Sequence, residues 1–576
     1  MLPTQPIIGT LRVRTRRRDE AALRLDVERQ LAASALTARH LAPAAILLIR
    51  KLDDPLPRRL REPEWQQALQ TRIDALCAAA TRPALGRIDA RSDALLFVDE
   101  AEMLACLALD LASAGDPASW WRRAVARFLR HANLRALLAG QPRLLPAAFS
   151  QLEQWQSLAR VVGALTHDEA LALCDEFAAA NELRAVLRAV ETCRRILGAS
   201  DAEPAPPVTG SFSLSSVDRS DLSEPAPHTP NDASPASPGT GTRIDTWIPS
   251  GCRSLGIAQQ LLIAAVLGFR AAPTQLAAPR VAFEFRRWLI ANTRPRASPG
   301  ATDPPMRVAE SPRAAGIELP TPDAGVQIPI STPAVDTVTR AAALEPNEPE
   351  PPPSAAQDEA PAEAEPDARL DGLETGLGGL LYLINVMGHL ELPGSFESSC
   401  GLASSTGFAG TLEALARVLA GLRGDELAHD PIWAILAGLD GREPNEPPRA
   451  AGLRLPDKLP AAWLEQLGDG TPVPRDSDRL AIEALRRAGW PPALLDWLQL
   501  VMPFIGWRIA RACGLDSVDE AVRLLIELPA RVYVTASHVD VVTSIENIRV
   551  PVRLAGLDRS PGWVRSLQRV VLFHFE

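Results

Sequence analysis

The chain has 576 residues, a formal net charge of -10 and a hydrophobic share of 46%. Length excludes a single small domain, and the acidic balance argues against a general nucleic-acid binder, which needs a basic face for phosphates. Two lysines, Lys51 and Lys458, carry almost none of the positive charge, so a Schiff-base or phosphate-loop lysine must be one of these.

The first residues, MLPTQPIIGTLRVRTRRR, place charge after a short apolar stretch, the reverse of a secretory signal. The most apolar run, LLIAAVLGFR at 261–270, is too short to span a bilayer. A cytoplasmic protein without a membrane span is expected. Alternation in TLRVRTR, 10–16, predicts a strand with a basic face, and Leu23, Val27 and Leu31 predict a helix over 19–36. AAILLIRKL, 44–52, is a continuous apolar run of the buried-strand kind, completing a β-α-β start. A helix follows near 64–80, and 93–115 reads as strand then helix. Asp116-Pro117 opens the next helix in cap-then-proline order, and the chain reads as helical up to 198.

Two stretches are rich in Pro, Ser, Ala and acid and poor in large apolar residues. These are 200–243 and 298–368, predicted to be disordered linkers because burial cannot offset their chain entropy. They divide the chain into 1–199, 244–297 and 369–576. The middle piece reads as two helices, with Val281, Phe285, Trp288 and Leu289 on one stripe. It is too small to stand alone, so docking on a neighbouring domain is expected. The last piece is helical over 373–528, with starts at Asp430-Pro431 and at Ser517 with Glu520. Valine-rich alternation then predicts strands at 530–542, 548–557 and the C-terminal RVVLFHFE. The expected class is mainly α with small β elements (α+β).

Several motifs carry possible chemistry. ALLFVDEAE, 94–102, has the Walker B form, in which Asp99 would hold Mg²⁺ and Glu100 would polarise water. No glycine-rich phosphate loop precedes either lysine, so the expected role is structural: the strand's acidic end caps the next helix. ETGLGGLLYL, 374–383, lacks the strand a dinucleotide fingerprint needs, and close helix packing explains its glycines better. None of the eight histidines has HxxxH or HExxH spacing. His538, Asp540 and His574, with Asp558 and Glu576 nearby in sequence, form the one constellation open to a metal or general-base role if the last strands pair. The alternative is half-buried strand residues satisfied locally. The Arg12–Arg18 edge could meet phosphate or an acidic partner, or be a solvated strand face; the acidic 345–367 run could shield it. The seven cysteines form no CxxC pair and read as buried, reduced thiols. No catalytic, cofactor-binding or metal-binding residue is assigned, and no cofactor is expected.

Three stretches, DPIWAILAGLDGREP at 430–444, TGLGGLLYLINVMGHLEL, and the ending AGLDRSPGWVRSLQRVVLFHFE, resemble proteins of bacterial phage-tail-like contractile injection system loci. The comparison group is the large, mostly helical proteins associated with the tape-measure family. The likeness covers chiefly the last two hundred or so residues, with a fainter echo in ERQLAASAL and AAILLIRKL. Its motifs have no catalytic content, so no functional residue carries over. A tape measure needs a long rod, whereas this chain reads as compact pieces and linkers. The resemblance therefore implies an assembly or scaffold protein, non-enzymatic, whose partners are other subunits of the apparatus. The alternatives are an enzyme with a site in the terminal sheet and a nucleic-acid accessory protein using the Arg12–Arg18 edge.

Overall fold

The computed structural model describes residues 41–53, 62–85, 92–113, 120–129, 133–200, 243–273, 279–293, 370–390, 407–421, 429–448, 458–467 and 472–576, with a few isolated positions besides. The strand expected at 10–16, most of the helix at 19–36, the bulk of both linkers and the Arg12–Arg18 edge lie outside the described residues. What is described is mainly helical with two small sheets, matching the α+β class.

Strand β1 (Ile46–Ile49) pairs antiparallel with β2 (Ala94–Phe97), Ile46 facing Phe97, and helix α1 (Glu62–Ala78) lies between them in sequence. The two strands differ in burial: β2 is wholly buried, whereas every residue of β1 is half-buried. The continuous apolar run of β1 therefore belongs to an outer strand. β2 is the inner one, because Thr81 hydrogen-bonds its other edge through Ala94 O and Leu96 N.

The helices α2 (Glu100–Ala112), α3 (Trp120–Leu129), α4 (Leu134–Ala139), α5 (Leu145–Gln154), α6 (Leu158–Gly163), α7 (His167–Ala180) and α8 (Arg184–Ser200) follow. Their starts are chemically marked. Asn133 Oδ1 accepts from Ala136 N at 2.8 Å, and Thr166 and Glu169 close a full capping box on α7.

Helices α9 (Ile257–Ala271) and α10 (Pro279–Thr293) pack on this bundle, α9 against α5 and α7, α10 against α8. Phe269 meets Phe177 edge to face at 5.7 Å, and Gln259 Nε2 donates to Leu165 O at 2.7 Å. A pair of helices too small to bury its own apolar face thus completes the N-terminal core.

The C-terminal part starts with β3 (Leu373–Thr375) and a 3₁₀ turn, Gly378–Tyr382, leading into α11 (Leu383–His389). Helices α12 (Gly407–Ala420), α13 (Ile432–Leu439), α14 (Ala461–Leu467), α15 (Asp476–Arg487), α16 (Pro492–Cys513) and α17 (Val518–Ile526) form the bundle. The glycines of ETGLGGLLYL are there for packing: a Cβ on Gly379 would stand 1.9 Å from Leu525 O.

A five-stranded sheet closes the chain, built from β3, β4 (Ala530–Val534), β5 (His538–Thr543), β6 (Gly562–Val564) and β7 (Arg569–Phe575) in the order β3-β4-β5-β7-β6. β5 and β7 run parallel and the other pairs antiparallel. The apolar C-terminus is therefore held on both edges. Val571 lies opposite Val539 and Phe573 opposite Val541, facing Tyr382 at 4.7 Å.

Two strand expectations are corrected. Residues 530–542 form two strands with a tight turn between them, and 548–557 forms no strand but contains the short helix α18 (Val550–Leu554). Pro551 has no N–H to give a ladder but fits a first helical turn, and Gly556, at φ +70°, follows the helix end.

Every described residue belongs to one compact unit that takes in both the part before 294 and the part after 366. The pieces separated in sequence are one body. Among the described residues no helix is long and apolar enough to cross a membrane, and the six cysteines are unbridged.

Candidate functional site

A buried polar cluster grows from the end of β2. Asp99 has the extended backbone of an N-cap, and its Oδ1 accepts from Glu102 N at 2.7 Å. This is the structural role expected for the Walker-like acid. Its other oxygen leaves the helix altogether: Oδ2 accepts from Ser537 N at 3.1 Å and Ser537 Oγ at 2.8 Å. Asp99 is completely buried and Ser537 nearly so.

Ser537 lies in the turn between β4 and β5. That turn is fixed by Thr535 N donating to His538 O at 2.9 Å and His538 N donating to Thr535 Oγ1 at 3.0 Å. Ser537 Oγ also lies 2.9 Å from His538 Nδ1. A hydroxyl has one proton. With that proton on Asp99, the histidine must donate from Nδ1 and Oγ must accept. The direction is opposite to nucleophile activation, in which the imidazole takes the serine proton. The Asp–Ser–His set is a joint between two halves of the chain.

Cations complete it. Arg569, at the start of β7, is buried and donates from Nε to Thr535 O at 3.0 Å. Burial, reinforced by the nearby charge of Arg270 and opposed by Asp99, pushes the Arg569 guanidinium down to about 9. Burial also lowers Arg270, again opposed by Asp99. Beside Arg569, Gln568 adopts a left-handed φ of +52° and donates from Nε2 to Phe269 O at the end of α9. A further carboxylate, Glu102, accepts from Val98 N and from Arg82 at 3.2 Å, and burial raises it above the usual carboxylate range. At the rim, Arg565 and Glu182 pair at 3.1 Å in the open.

The histidine constellation is split. His574 Nε2 lies 2.8 Å from Asp540 Oδ1, as strand pairing allows. His538 lies opposite Val570, four positions along β7 from His574, or about 13 Å at a strand's rise per residue. The two imidazoles therefore serve different partners, His538 the Ser537 hydroxyl and His574 the Asp540 carboxylate. Asp558 is taken by Arg553 at 2.7 Å in a shallow depression lined also by Arg559, Ser560 and Phe575. Glu576 contributes its main chain, accepting from Ile545 N at 2.8 Å. Among the described residues no group of three or more His, Cys, Asp or Glu side chains is placed to hold a metal.

Comparison with protein-family models, with curated proteins and with solved structures finds no match to this chain.

Sequence reasoning found Asp99 as a cap but missed its partners. Ser537 is 438 positions away, and nothing local to VTASHVD marks it as facing another part of the chain. Arg569 and Gln568 look like ordinary hairpin polar residues. Only the approach of the β6–β7 turn to the end of α9 makes Gln568 internal.

Proposed function

We propose that this is a non-enzymatic assembly or scaffold protein of a phage-tail-like contractile injection system. The apparatus is suggested by the resemblance of the C-terminal segments. The role is supported by one observation above others: the interior's Asp99–Ser537–His538 set is spent on joining the two halves of the chain. Its serine proton goes to the carboxylate, and its members are sealed from solvent.

One consequence concerns the acidic, proline-rich 298–368 stretch. Both of its flanks belong to the same compact body. In sequence it is therefore an insertion into one unit, between residues 293 and 370 of the same body. A scaffold built this way offers the surfaces of one firm body to its partners.

The test is genetic and structural together. Deleting the chain in its native host should abolish or misassemble sheath-and-tube particles seen by electron microscopy, and a tagged copy should co-purify with those subunits. Normal particles without the chain, and no co-purification, would overturn the reading.

A further inference from the structure

Helix α10 buries Val281, Phe285, Trp288 and Leu289 against α8 and the core. At 100° per residue, Phe283 and Ile290 fall at the centre of the opposite face. Both are exposed, Phe283 at 69% and Ile290 at 42%. Arg280 and Arg287 flank them on one side and Arg286 on the other, all exposed. On the neighbouring α8, Arg184, Arg188 and Arg195 are exposed along one stripe, interrupted by Glu191. Arg194 is occupied by Asp175. Among the described residues none of the other six arginines has an ion-pair partner. A chain of net charge -10 thus carries three arginines around an apolar centre on α10, and three more on the helix packed beside it.

We infer that the outer face of α8 and α10 is a docking surface for an acidic, apolar-anchored segment of a partner protein. The inference rests on the scaffold reading and names the chemistry of one partner. Charge complementarity sets the sign: the three guanidinium groups around the apolar centre, with three more on the adjoining helix, need carboxylates. The apolar centre sets the class. Phe283 and Ile290 are about 10 Å apart along the helix, two turns of rise, which matches apolar side chains at i and i+7 of a facing helix. A nucleic acid would meet the same arginines, but its stacking needs aromatic planes, and Ile290 has none. Phosphates would also leave the apolar centre uncovered.

The probe is a fluorescein-labelled synthetic peptide with leucines at i and i+7 and glutamates around them, titrated with the full-length protein by anisotropy. Two comparison probes are the same peptide with both leucines replaced by alanine, and a single-stranded oligonucleotide of equal charge. The leucine peptide should saturate. The paired variants Phe283→Ser with Ile290→Ser, and Arg280→Glu with Arg287→Glu, should each weaken it by about tenfold or more with the melting temperature unchanged. Lack of saturation by about 1 mM overturns the inference. So does equal binding by either variant, by the alanine peptide or by the oligonucleotide. Failure here with co-purification intact sinks this surface alone. Loss of co-purification with peptide binding intact sinks the scaffold reading alone.

Discussion

Asp99 and Asp540 make an instructive pair. Each is an aspartate with no exposed surface, and each lies near a histidine. Asp99 has both oxygens occupied, by one donor from its own helix and two from a turn 438 positions away. Asp540 has one oxygen on His574 and the other enclosed without a hydrogen-bond partner. The first aspartate ties distant parts of the chain together, while the second is held by one neighbour in its own sheet. A buried carboxylate is fixed by what its surroundings donate, and that separates these two sites where residue identity does not.

Several experiments break or sharpen this contrast. Asp99→Ala should have the largest effect, about 3–5 kcal/mol, because it removes a cap and a bridge and strips the counter-charge from two buried arginines. Urea unfolding should show the loss, with the two halves separating into distinct transitions. A loss under about 1 kcal/mol would mean that the joint is ornamental.

His574→Ala is expected to cost about 1–3 kcal/mol, since it leaves both Asp540 oxygens without a partner. Its unfolding should remain a single transition, because the pair lies within one sheet. If His574→Ala separated the halves and Asp99→Ala did not, the comparison would be reversed.

Arg569 carries a pH dependence of its own. Its folded value, about 9, lies well below that of the free side chain. Between those values the unfolded chain binds more protons, so unfolding free energy rises with pH. Below about 9 both states are protonated, and the cost of burying the charge is present in full. The stability of the unsubstituted protein relative to Arg569→Met should therefore increase from pH 8 to pH 11, measured by urea titration at each pH. A flat or falling difference contradicts the buried charge.

The smallest effect belongs to the rim. Arg565→Ala removes an exposed ion pair with Glu182 and should change stability by about 0.5 kcal/mol or less. A larger loss would place part of the joint's strength outside the buried cluster.

The helical class, the strand at 94–97, the caps at Asp99 and Ser517, the packing role of the ETGLGGLLYL glycines and the C-terminal strand were all legible in the residues. These features rest on periodicity, capping chemistry and side-chain size within a short window. The strand expected at 548–557 was misread because the valines of IRVPVRL outweighed one proline, although that proline gives the helix its start. The histidine constellation was half legible. Alternation put Asp540 and His574 on one face, but the register between β5 and β7 placed His538 too far along.

What the sequence determined by itself is the set of local decisions: where helices begin, which runs are apolar, and which stretches lack the residues to form a core. The tertiary structure alone decided that α9 and α10 complete the N-terminal bundle, that the parts before 294 and after 366 form one body, and that Asp99 faces Ser537. The physical reason is range. Caps and periodicity act over a few residues, whereas a buried carboxylate takes its donors from whatever chain packs against it, at any separation in sequence.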